Sequence, residues 1–306
     1  MGKTRWRIAI LLAVVLLVAF VTTFNYGGGG GSGLSGSKWI KVVGGGYHTI
    51  ALKSDGSLYA WGDNDYGQLG DGTTTDRTTP TLISTTGFSA IAAGWIHTIA
   101  SKTDGSLYAW GCNGYGLLGD GTTTNRWTPT LISTTGFSDI AAGEYHIIAL
   151  KTDSSLYAWG DNQFGQLGDG TTVGRTAPTL IGTGFSSIAA GGKHTIALKT
   201  DGSLYAWGAT FRTTTPTLIG TDFSAIAAGR HHTIALKTDG SLYAWDAPFF
   251  RTTPTLIGTG FSAIAAGGYH IIALKTDGSL YAWGRNNYGQ LGDGTTTDRR
   301  TPTPIK

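Results

Sequence analysis

The phrase His-Thr-Ile-Ala-Leu-Lys-Thr-Asp-Gly-Ser-Leu-Tyr-Ala-Trp-Gly, residues 194–208, recurs with few changes from His48, His97, His146, His232 and His270. No other feature constrains the chain as much. Successive histidines lie 49, 49, 48, 38 and 38 residues apart, a spacing that suits one β-propeller blade per repeat. Each unit divides into four strand-like pieces: an Ile-Ala-Ala-Gly run such as 91–94, the His-x-Ile-Ala-Leu run, Ser-Leu-Tyr-Ala-Trp, and Pro-Thr-Leu-Ile such as 80–83. The expected fold is all-β, a six-bladed β-propeller of four-stranded blades over residues 38–306. Paired alanines suit the innermost strand, where blades converge and large side chains would collide. Ring closure is expected to bring the first strand near 39–43 beside the last near 301–305, because an open ring exposes its ends.

Composition agrees: 49 Gly and only 8 Pro favour short strands and tight turns, and 10 Trp within regular apolar runs oppose disorder. Lys3, Arg5 and Arg7 account for the whole net charge of +3. The repeat region is therefore neutral, which disfavours nucleic acid as a partner. A single cysteine, Cys112, excludes an internal disulfide framework and a cysteine-rich zinc site.

The N-terminus has a basic start and an apolar run over 8–24, with Trp6 and Tyr26 at its flanks. Residues 1–26 are read as a hydrophobic helix, an uncleaved signal-anchor in the cell membrane with everything after it outside. Secretion after signal cleavage is the alternative, although no A-x-A site follows the run. Residues 27–37 form a Gly/Ser tether.

Within the repeated phrase, Asp55-Gly56 and its counterparts predict two-residue type I′ turns. That register sets Leu52 opposite Tyr59 and Ile50 opposite Trp61, and places Asp63, Cys112, Asp161, Ala209, Ala247 and Arg285 opposite the successive histidines. The third copy has Asp153-Ser154, which strains the turn by about 1 kcal/mol or less. A catalytic pairing of His48 with Asp55 fails on distance, since seven residues of strand span roughly 20 Å. The histidine is expected to bond backbone or an adjacent blade. His97 and Cys112 have metal-ligand character, but two ligands make no closed zinc site. No cofactor or metal is expected.

A second phrase follows the hairpin in four copies, as in residues 61–80. Its Gly-Gln-Leu-Gly-Asp-Gly run is intact at 67–72, 165–170 and 289–294, and has Leu for Gln at 116–121. The W-G-x-N-x-x-G-Q-L-G-x-G run, joined to G-x-x-H-T-I-A-L, resembles the repeat of the regulator of chromosome condensation family, in a prokaryotic extracytoplasmic form, over nearly all of 38–306. The resemblance implies a propeller, commonly seven-bladed in that family, whereas six repeats stand here. Asp71, Asp120, Asp169 and Asp293 lack the spacing of an EF-hand and are expected to form loop-stabilising Asx turns. Repeats four and five have lost the Gly-Gln-Leu-Gly loop: Trp207 to Pro216 and Trp245 to Pro254 are nine residues apart, against nineteen elsewhere. These should be blades with short connections, leaving a notch beside Phe211, Phe249 and Phe250.

The family's best-known activity is nucleotide exchange on the small GTPase Ran at chromatin. It is not expected here, because no repeat carries a long unique insertion and no basic tail follows. A closer analogue is a secreted bacterial member that inhibits β-lactamases through loops on one face. Near-identical repeats do not build the asymmetric group set that chemistry needs, so no enzyme activity is expected. The expectation is a protein-binding scaffold for an extracellular or cell-envelope partner, with a glycan-binding propeller as the alternative. The variable residues before each histidine mark the candidate rim: Tyr47, Trp95, Ile96, Glu144, Tyr145, Lys193, Arg230, His231 and Tyr269. All six pairs should emerge on one face and ring its centre.

Overall fold

The computed structural model describes residues 37–305 apart from 86, 135 and 247–252. Its 24 strands form six four-stranded antiparallel sheets, each made of four consecutive strands in order. Blade 1 comprises β1 (Trp39–Gly44), β2 (His48–Lys53), β3 (Leu58–Gly62) and β4 (Arg77–Ser84). Blades 2 to 6 span 88–133, 137–182, 185–220, 223–258 and 261–305. The first strand of blades 2 to 6 is the alanine-rich one, blade 1 having Trp-Ile-Lys-Val-Val-Gly there, and the first strands of successive blades pack on one another, as expected for the innermost position. The short repeats are full blades, the fourth connecting its third and fourth strands through 209–212 alone. The N-terminal segment 1–26 lies outside the described residues, as do Phe249 and Phe250. No described helix is long and apolar enough to cross a membrane.

The hairpin register is displaced by one residue from expectation. Gly56 N–H donates to Lys53 O and Lys53 N–H to Ser57 O, both at 2.9 Å. Gly56 has φ 80° whereas Asp55 is not left-handed. The loop is thus three residues long, a type I turn closed by a left-handed glycine, with Asp55 Oδ1 accepting from Ser57 N–H at 2.9 Å. Leu52 consequently faces Leu58, Ile50 faces Ala60 and His48 faces Gly62. The residues opposite the other histidines are Gly111, Gly160, Gly208, Asp246 and Gly284. Ser154 keeps the same turn at φ 67°, the strain foreseen from its sequence.

Cores form between blades rather than within them. Ile50, Leu52, Leu58, Ala60 and Leu69 of blade 1 meet Phe88, Ile91, Ala100 and Trp110 of blade 2. Equivalent sets join the next four pairs. Each fully buried aliphatic or aromatic side chain there stabilises the fold by roughly 1.5–3 kcal/mol. The lysine ending each second strand caps its core: Lys151 Nζ lies 5.2 Å from the Phe137 ring and 4.7 Å from Tyr157.

Ring closure departs from expectation. No core cluster joins blade 6 to blade 1 among the described residues, and Trp39 and Val42 on β1 are 44% and 53% exposed. Buried Phe and Trp packing sets the step between blades five times, and no sixth core of this kind is found between blades 6 and 1 among the described residues.

Candidate binding face

One end of every blade gathers the connection between the first and second strands and the start of the loop after the third. The repeated histidine builds this end. Its ring lies over the glycine three residues earlier: a Cβ on Gly94 would sit 2.1 Å from the His97 ring and 2.7 Å from the Gly143 carbonyl of the next blade. Gly143 is confined in the same way by His146 and the Gly191 carbonyl. The Ala-Ala-Gly-x-x-His phrase is therefore a packing requirement.

Three of the histidines, His48, His146 and His194, also link blades, as the sequence led us to expect. His48 Nε2–H donates to Thr98 Oγ1 at 3.0 Å, because that hydroxyl itself donates to Gln68 O at 2.8 Å. His146, Thr195 and Gln166 repeat the relay at 2.9 and 2.8 Å. Burial holds His48 and His146 at a pKa of about 4, and His97 and His194 at about 3, so these rings are neutral near pH 7. Buried, neutral and facing glycine, they are joints rather than bases.

The long loops are organised by a buried asparagine. Asn64 Nδ2 donates to Asp71 Oδ1, Thr73 O and Thr75 O at 3.0–3.2 Å, while its Oδ1 accepts from Leu69 N–H at 3.0 Å. Asp71 accepts from Thr73 N–H at 2.9 Å in the expected Asx turn and pairs with Arg77 at 2.6 Å. Asn113, Asn162 and Asn286 repeat the hub, each with its Asp and with Arg126, Arg175 or Arg299. Protein donors thus already engage the four carboxylates that invited a calcium reading. Asp63, Asp65 and Asp76 do lie within 4.8 Å of one another. Gln68 Nε2–H and Asn64 N–H occupy Asp63 and Asp76 at 2.6 and 2.8 Å, and burial followed by the Asp65 charge pushes the Asp63 carboxyl up.

Six pre-histidine pairs converge on this end. Arg230 of blade 5 is the hub: it pairs with Glu144 of blade 3, donates to the Tyr269 hydroxyl of blade 6, and lies 4.8 Å over the Trp95 ring of blade 2. Tyr47 meets Trp95 edge-on at 5.5 Å. The Arg285 guanidinium covers Tyr269 at 4.4 Å, and His231 lies 6.0 Å from the same ring. Burial and then Arg230 push the His231 pKa down. Farther out, Tyr145 packs on Tyr115 at 5.4 Å and the Lys193 ammonium sits 4.4 Å over Phe164. Burial, followed by the Glu144 charge, pushes the Tyr145 phenol up.

The sequence-derived rim is therefore brought together, but not as a uniformly exposed ring. Glu144 is buried at 8% exposure and Trp95, Ile96, Tyr145, Lys193, Arg230 and Tyr269 are half-buried, while Tyr47 and His231 are exposed. Variation at these positions reflects contacts among them as well as freedom. Sequence reasoning missed the outer aromatics Tyr66, Tyr115, Phe164 and Tyr288, all exposed, and the cation Arg285. Their signal was present: each aromatic precedes the loop glycine in one of the four long copies. Phe211, expected beside a notch, is instead buried in the core with Trp245.

Comparison with known proteins agrees with this architecture. The RCC1-like domain model matches residues 31–245, and the regulator of chromosome condensation (RCC1) repeat matches 261–290 and 277–306. The chain is 51% identical to the human E3 ubiquitin-protein ligase HERC2 over 51 residues, 17% of this chain and 1% of that protein. It is 46% identical to the Arabidopsis thaliana ultraviolet-B receptor UVR8 over 50 residues, 16% of this chain and 11% of the receptor. The chain thus matches only a small part of these relatives. Among solved structures, Saccharomyces cerevisiae Prp20p, studied for binding Gsp1p and histones, superposes with TM-score 0.76 and 27% identity over 88% of this chain and 77% of its own. Human WBSCR16 shares the fold with TM-score 0.78 and 20% identity, over 90% and 83%. With a domain model matching most of its length on top of six repeated blades, the chain belongs to the RCC1-like family of β-propellers.

Proposed function

We propose that this protein is a non-catalytic, protein-binding propeller of prokaryotic extracytoplasmic type. In this reading the N-terminal segment holds it at the cell membrane, or directs its secretion, and it engages an extracellular or envelope protein through the histidine-side face. One observation carries the reading: residues that vary between otherwise constant repeats meet on one face, where Tyr47, Trp95, Arg230 and Tyr269 form a continuous aromatic and cationic surface. Aromatic and Arg side chains anchor protein interfaces, and a rigid scaffold limits the entropy lost on binding. The histidines do not supply a base, because they are buried and neutral.

A glycan-binding reading draws on the outer aromatics, exposed at the same position in four blades. Their neighbours Asp65, Gly114, Gln163 and Asn287 differ, so no constant polar partner accompanies the ring. That difference favours protein. The test is capture of envelope and extracellular proteins by the full chain, run beside a glycan array. Tyr47→Ala is expected to lower affinity for the captured protein by about 2 kcal/mol or more. Glycan binding without protein capture, or affinity unchanged in Tyr47→Ala, Tyr145→Ala and Arg285→Ala, would reject this face as a protein site.

A further inference from the structure

The core between blades 2 and 3 departs from the others at one position. The penultimate residue of the second strand is Leu52, Leu150, Leu198, Leu236 or Leu274 in the other five blades, but Ser101 in blade 2. Leu52, Leu150, Leu198 and Leu236 each share a core with the Phe that opens the next blade: Phe88, Phe185, Phe223 and Phe261. Phe137 has no such neighbour, because the core it joins includes nothing from position 101. A shortened buried side chain leaves space wherever the surrounding strands do not close on it. A pocket of about 420 Å³ lies here, with Ser101 and Phe137 among its lining residues, and its volume is within the range of small-molecule sites.

The pocket is polar. Ser101 is 2% exposed, and its hydroxyl has no hydrogen-bond partner among the described residues. Around it stand the hydroxyls of Ser89, Thr103, Ser138 and Thr152 and the carboxylate of Asp104. Ser89 and Ser138 donate to Ser101 O and Leu150 O at 3.3 and 3.1 Å, which leaves their oxygens free to accept. The Lys102 ammonium lies 5.3 Å from the Phe137 ring, so one cation and one anion border the pocket. Backbone forms part of the wall, since a Cβ on Gly105 would stand 2.8 Å from Gly136 Cα.

We propose that this pocket binds a neutral polyhydroxylated small molecule with the size and chemistry of a hexose, anchored on the buried Ser101 hydroxyl. Balanced charge at the border gives no preference for an ion. Several hydroxyls and a carboxylate match a ligand that donates and accepts at several places. A ligand hydroxyl would also supply the partner that Ser101 lacks and offset the cost of burying it, whereas an apolar ligand would leave it unpaired. The site lies at the hairpin-turn end of the blades, opposite the histidine-side face, and does not depend on the function proposed for that face.

The probes are D-glucose, D-galactose, D-mannose and myo-inositol, each titrated onto the full chain and read by saturation-transfer NMR. Saturable binding of at least one is expected. Ser101→Leu installs the residue of the other five blades, and by filling the space it should abolish binding and raise Tm. Ser101→Ala keeps the space but removes the hydroxyl, and should weaken binding about fivefold. Tyr47→Ala on the histidine-side face should leave binding unchanged. Absence of saturable binding for all four probes overturns the proposal, as does binding that survives Ser101→Leu, which would place it elsewhere on the chain. A Tm lowered by Ser101→Leu overturns it because the space would then not admit the side chain. Equal affinity in Ser101→Ala overturns the anchoring role of Ser101.

Discussion

Blades 3 and 4 differ mainly in what each lays over its neighbour. Blade 3 reaches across with a long loop: Leu167 enters the core against Trp207, and Gln166 O accepts from Trp207 Nε1–H at 2.9 Å. A Cβ on Gly168 would stand 2.6 Å from that indole nitrogen, so the loop backbone lies directly on the ring. Blade 4 has Phe211 in place of that loop, leaves Trp245 Nε1 buried with no hydrogen-bond partner among the described residues, and turns through Arg212 at φ 54°. One phenyl ring replaces the apolar volume of a whole loop but none of its hydrogen bonds. Loop loss is tolerated because the inter-blade core asks for volume, whereas the loop supplies polar satisfaction and a binding surface.

The largest expected effect belongs to what both blades share. Buried histidines have folded pKa values of about 4 or about 3, below the roughly 6.5 of an unfolded chain. As pH falls the unfolded state takes up protons first, so their contribution is complete above about pH 6.5 and is lost progressively toward pH 4 and below. Thermal unfolding should show a level Tm from pH 8 to 7 and a steep fall between pH 6.5 and 4. The carboxyls of Asp71, Asp120 and Asp169 are held below their usual range, burial opposing and Thr and Arg hydrogen bonds outweighing it, and they add their loss only at still lower pH. Because His146 and His194 each reach a Thr of the next blade, with or without a long loop, His146→Gln and His194→Gln should flatten the profile equally.

Next in size is Phe211→Ala, expected to cost about 3–5 kcal/mol in denaturant unfolding, against about 2–4 kcal/mol for Leu167→Ala. Phe211 has no loop backbone beside it to collapse into the cavity, so the reverse order would break the comparison. Asn162→Ala should cost about 2–3 kcal/mol and speed hydrogen exchange over 163–174, leaving blade 4 unaffected. The smallest effects are gains of about 0.5–1 kcal/mol from Ser154→Gly and Arg212→Gly, which relieve left-handed backbone at φ 67° and 54°. A loss at Arg212 would show that its side chain holds the short loop.

Much of the candidate face was legible from variation within the repeats, since the positions before each histidine stand out against constant neighbours. Which of them stay exposed was not legible. Glu144 reads as a solvated carboxylate, yet Arg230 from two blades away folds over it, a contact between residues 86 positions apart. The displaced hairpin has a local cause: Asp-Gly serves a two-residue turn and a three-residue turn ending in glycine equally well, and the Ser57 contact to Asp55 favours the longer one.

Period, four-strand blades, the inner alanine strand and the repeated histidine follow from the sequence alone, because each is written five or six times and depends on local pattern. The arc's open ends, the partners of Arg230 and the burial of Phe211 were decided only by tertiary structure. Angles between sheets accumulate around the axis, and a small difference in each step determines whether the sixth blade meets the first. No single repeat records that sum.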